Sequence, residues 1–154
     1  MDVGTLSIGA VAGVLALEGL KQIVSLLIKR PMEKRDARRK AARDEIATLI
    51  RKIDICLDAA SEYYSCADAT ERLQLSSKVK HAIRGAGMQF NHVNQALLSL
   101  SLPALESPLL VGFRQATTMD LDSTTQIVGL PRDMYEKAYV LKRVLTELML
   151  NSLV

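Results

Sequence analysis

The chain has 154 residues, a net charge of +3, two cysteines, no tryptophan, and only two Phe and four Tyr. That length allows an apolar anchor plus one small domain. The spacing of Cys56 and Cys66 supplies no partners for a disulfide or metal pair, and in a cytoplasmic domain both are expected as reduced thiols. Residues 44–154 carry slightly more acids than bases, which excludes a general DNA- or RNA-binding domain by charge.

The first element is the apolar run Val3–Ile28. At helical rise its 26 residues reach about 39 Å, enough to cross a hydrocarbon core of roughly 30 Å. No basic region precedes the run and no cleavage pattern ends it, so a cleaved signal peptide is not expected. Ser7, Glu18, Lys21 and Ser25 fall on one line of that helix, with Gly9 and Gly13 nearly opposite. Charge inside a membrane is costly and usually functional, so this line is a candidate polar face within an oligomer.

Residues 29–43 follow with eight bases against two acids, while only Asp2 is charged ahead of the run. The asymmetry predicts a single pass in the inner (cell) membrane, N-terminus outside and the rest cytoplasmic. It also predicts attraction to anionic membrane lipid. Pro31 should break or bend the helix. The expected organisation is therefore an anchor at 1–28, a basic juxtamembrane segment at 29–43, and a cytoplasmic helical domain at 44–154.

Within that domain, Ala42, Ile46, Leu49, Ile53, Cys56, Leu57, Ala60 and Tyr64 recur at helical intervals, predicting a helix over about 33–64. Asp68 reads as the N-cap of a second helix, with Glu71 at its third position. That helix uses Leu75, Val79, Ala82, Ile83, Ala86, Phe90, Val93 and Leu97 inward and ends near Ser101. Gly85 and Gly87 weaken its middle and leave open a break there. Ser107-Pro108 fits a cap and first helical position, opening a short helix to about Met119. Asp122–Thr125 reads as loop, Ile127-Val128 is ambiguous, and Gly129-Leu130-Pro131 is a stop. A last helix over about 133–151 buries Met134, Ala138, Leu141, Leu145 and Leu148. The fold class is all-α: one transmembrane helix and a bundle of four or five helices. The aliphatic seams suggest a homo-oligomer.

No Walker loop, nucleophile elbow, dinucleotide fingerprint or helical zinc pair is present, so no enzyme, cofactor or metal is expected. One polar stripe stands out in the domain. His81, Arg84, Asn91, His92 and Gln95 share a face opposite the apolar positions, with Met88 among them and Lys78 at the border. A cation, imidazoles and amides can bind a phosphodiester and an adenine edge.

The layout of anchor Val3–Ile28, basic junction Lys29–Arg43 and helical domain to Val154 resembles the small membrane effectors of type III CRISPR defence. The resemblance covers the whole chain in layout and no specific motif. It implies a cytoplasmic domain that binds a cyclic nucleotide ligand, cyclic tetra-adenylate, and a response that perturbs the membrane. The alternatives are a small phage or bacterial membrane protein, holin-like or an exclusion factor, or a membrane scaffold acting through protein contacts.

Overall fold

The computed structural model describes the backbone of residues 5–118, 121 and 132–153, and the side chains within them apart from 5–22, 24, 26–28 and 132. Four helices and no strand occur among these residues: α1 (Thr5–Ser65), α2 (Ala69–Ser99), α3 (Ser107–Thr118) and α4 (Arg132–Asn151). The loop and stop signals at 122–131 and the ambiguous Ile127-Val128 lie outside the described residues. The chain divides into two compact units, Met1–Ala37 and Arg38–Val154.

Pro31 does not break the helix; it lies inside α1, which is helical from Thr5 to Ser65. A proline removes one hydrogen bond and crowds the preceding turn, at about 3 kcal/mol. From Met32 to Ser65 the chain has no further glycine or proline, and Ala, Arg, Lys and Glu make up half of it. These are the residues with the best helix propensities, and they carry the helix past the defect. Among the described residues, no helix is long and apolar enough to cross a membrane. The run Val3–Ile28 belongs almost entirely to the residues whose side chains are not described.

In the second unit the helices alternate in direction. α2 runs antiparallel to α1, because Lys78 pairs with Glu62, Gln89 bonds Glu45, and Arg38 donates to the Ser99 carbonyl at 3.4 Å. α4 is antiparallel to α1 as well, with Lys142 on Asp54 at 2.6 Å and Arg43 donating to the Leu153 carbonyl. α3 starts near the end of α2, where the Leu105 N–H donates to Asn94 Oδ1 at 2.8 Å. Its far end lies beside the end of α1, where the Tyr64 hydroxyl meets the Thr117 carbonyl at 3.5 Å. The result is an up-down-up-down four-helix arrangement.

Its core holds Ile46, Leu49, Ile53 and Cys56 from α1, and Val79, Phe90, Val93 and Leu97 from α2. Phe113 from α3, and Met134, Leu141 and Leu145 from α4, complete it. The seams that suggested self-association are thus consumed within one chain, with only Leu57 and Leu148 partly exposed.

Local signals act where they were expected. Asp68 Oδ1 accepts from the N–H groups of Thr70 and Glu71, both at 2.8 Å, satisfying two of the orphan donors of α2. α2 runs unbroken through Gly85 and Gly87. It ends on a Schellman turn, in which Leu102 N–H reaches the Leu97 carbonyl and Ser101 N–H the Leu98 carbonyl, both at 3.0 Å.

Candidate functional site

The face of α2 that points away from the core carries His81, Arg84, Asn91, His92 and Gln95, all exposed. At about 100° per residue they fall within a stripe about 100° wide, and the helical rise from His81 to Gln95 gives it a length of about 21 Å. None of the five makes a side-chain hydrogen bond or ion pair among the described residues. Lys78 is different. Its ammonium is paired with the Glu62 carboxylate on α1, so its charge is already partly neutralised at the border of the stripe.

The sequence reading missed a second cation. Lys52 of α1 brings its Nζ to 3.6 Å from the place a β-carbon would occupy on Gly85. Gly85 follows Arg84 in the chain, so the Lys52 ammonium of α1 reaches α2 one residue along from Arg84. Lys52 makes no ion pair among the described residues. It could be found in sequence only by knowing that α1 and α2 pack antiparallel in this register. Gly87 faces open space.

Other polar groups of the domain are engaged by the fold. Gln89 is buried against Glu45, Asn94 caps the chain after α2, and Arg72 holds the Cys66 carbonyl with Nε at 3.2 Å and Nη2 at 2.6 Å. A cavity of about 540 Å³ lies at the α1–α2 turn, lined by Glu62, Cys66, Asp68, Glu71 and Leu75. Its three carboxylates are occupied: Glu62 by Lys78, Asp68 by the α2 N-terminus, and Glu71 by the Cys66 thiol, which donates at 3.5 Å. Such a site repels anions. No group of three or more His, Cys, Asp or Glu side chains that could hold a metal occurs among the described residues.

Of the polar line on the apolar run, Ser25 is half-buried. Ser7, Glu18 and Lys21 lie outside the residues whose side chains are described. Comparison with protein-family models, with curated proteins and with solved structures finds no match to this chain.

Proposed function

We propose that this chain is a non-enzymatic, single-pass membrane effector of antiviral defence, anchored in the cell membrane by Val3–Ile28 with its helical domain in the cytoplasm. The outer face of α2 binds an anionic nucleotide, a cyclic oligoadenylate in the reading its layout resembles, and binding perturbs the membrane through α1. The observation that supports this best is the Lys52 Nζ at 3.6 Å from the β-carbon position of Gly85, the residue after the exposed Arg84. Two cations there adjoin imidazoles and amides that the fold leaves unengaged. Phosphate takes charge-assisted bonds from both cation types, and Asn91 or Gln95 can meet an adenine edge. A ligand with four phosphates exceeds the charge of one stripe, so the reading calls for a homo-oligomer that brings copies of it together.

Full-length protein in proteoliposomes tests this. Cyclic tetra-adenylate should bind and release an entrapped dye. Arg84→Ala should weaken binding by about 1.5–3 kcal/mol, the worth of a hydrogen bond to a charged group. Glu18→Leu should keep binding and lose the leak, since the ligand must favour the leaking state to gate it. If both variants bind and leak like the parent, neither stripe is functional.

A second reading has its own support. Met88 is 57% and Leu98 62% exposed on the same face as Arg84 and Asn91. An exposed polar face with two apolar anchors suits a protein partner, which is the scaffold alternative. Retention of a partner protein by the wild type with no nucleotide binding would decide for it.

A further inference from the structure

Six of the eight bases of residues 29–43 separate into two groups in the structure, while Arg39 and Lys40 belong to the second unit without a hydrogen bond or ion pair among the described residues. Arg38 and Arg43 belong to the helical bundle, where they donate to main-chain carbonyls at the ends of α2 and α4. Lys29, Arg30, Lys34 and Arg35 belong to the first unit, are exposed, and make no ion pair among the described residues. α1 is helical throughout this stretch, so their directions around the axis follow from the helical period. With Lys29 at zero, Arg30 falls near about 100°, Lys34 near about 140° and Arg35 near about 240°. No gap between neighbours exceeds about 120°.

That distribution decides between two ways of meeting a membrane. A helix lying flat in the interface keeps its bases on one face and an apolar stripe on the other. Here the charges encircle the helix, directly after an apolar run that ends at Ile28. We infer that Lys29, Arg30, Lys34 and Arg35 form a cationic collar that binds anionic phospholipid headgroups around the whole circumference of α1, while Arg38 and Arg43 serve the bundle instead. The inference rests on the membrane reading above. Its chemistry is that of ammonium and guanidinium groups facing phosphodiesters at the headgroup layer, where each base is attracted by the anionic leaflet.

The test uses full-length protein in mixed phosphatidylcholine and phosphatidylglycerol bilayers carrying trace spin-labelled lipid of either class. The fraction of each label whose motion the protein restricts is measured. Labelled phosphatidylglycerol should be restricted severalfold more than labelled phosphatidylcholine, and added salt should reduce the difference as it screens the charges. The variant K29Q/R30Q/K34Q/R35Q should restrict both labels equally, whereas R38Q/R43Q should keep the preference. Equal restriction of the two labels by the wild type overturns the collar while leaving the anchor standing. Loss of the preference in R38Q/R43Q alone overturns the division of labour. If neither label is restricted, the anchor fails and the collar with it. Tight binding of duplex RNA or DNA by a protein without lipid preference assigns these bases to nucleic acid instead.

Discussion

Gln89 on α2 reaches Glu45 on α1 twice: its Nε2 donates to the Glu45 carbonyl at 3.2 Å and to the Glu45 carboxylate. Gln89 is only 6% exposed, so this amide bridges two helices from inside an otherwise apolar seam. Gln89→Met keeps the volume and removes the donor. It should destabilise the protein by about 1–2 kcal/mol, read as a lower urea midpoint with an unchanged slope. In a Glu45→Ala background the same substitution should cost less, because the carboxylate is already gone and only the main-chain carbonyl is left to accept.

Ser101 sits at φ 59 after the end of α2, the left-handed position of the Schellman turn that glycine usually takes. A side chain there costs about 1–2 kcal/mol by its clash with the following carbonyl. Ser101→Gly should therefore raise stability by about 1 kcal/mol, the gain being partly offset by the greater freedom of glycine in the unfolded chain. An unchanged or lowered melting temperature would count against the left-handed assignment.

Gly87 lies within α2 with nothing within 4 Å of an added β-carbon. Gly87→Ala should stabilise the helix by up to about 1 kcal/mol. If cyclic oligoadenylate approaches the backbone here, the same variant should bind it more weakly while melting higher. Higher melting with unchanged binding would mean that Gly87 plays no part in recognition.

Burial pushes the Cys56 thiol up from 9.0 to about 12, with the nearby Lys52 ammonium pulling partly the other way. The folded state therefore holds this proton where the unfolded chain would release it. The stabilisation is fully present below pH 9 and is lost as pH rises from about 9 toward 12. At pH 8 an aromatic disulfide reagent should label Cys66 readily in the native protein and reach Cys56 only after denaturant is added. Equal rates for both thiols would contradict the buried position of Cys56.

Features that act within one stretch of chain were legible in advance. Asp68 caps α2, Ser107-Pro108 opens α3, and Ile46, Leu49, Ile53, Val79, Phe90 and Leu145 all point inward. Each depends on neighbours a few residues away, which the helical period exposes. Of the break or bend expected at Pro31, the break does not occur, because a breaker competes with the helix propensity of its flank, and Met32–Ser65 is rich in good helix formers. Gln89 carried a usable signal, being three residues after Ala86 and four before Val93, yet its polarity masked its inward position. Lys52 beside Gly85, and Arg38 and Arg43 at the ends of α2 and α4, depend on the register between helices. No pattern within a single helix encodes that register. The stripe from His81 to Gln95 was visible because exposure also follows the period, whereas the Lys52 ammonium near Gly85 comes from another helix.

The bond from Arg43 to the Leu153 carbonyl joins residues 110 positions apart, and Leu153 itself is buried. During synthesis α1 leaves the ribosome first, so Arg43 waits without its acceptor until α2, α3 and α4 have all been made. At about 5–20 residues per second that interval lasts several seconds or more. Throughout it the inner face of α1, with Ile46, Leu49 and Ile53, lacks the helix that will cover it last. Residues 29–35 and the apolar run Val3–Ile28 precede that face in the chain and are made before it. The order of residues along the chain thus completes α1 well before the bundle can close, and late closure leaves a window in which chaperones can act on α1.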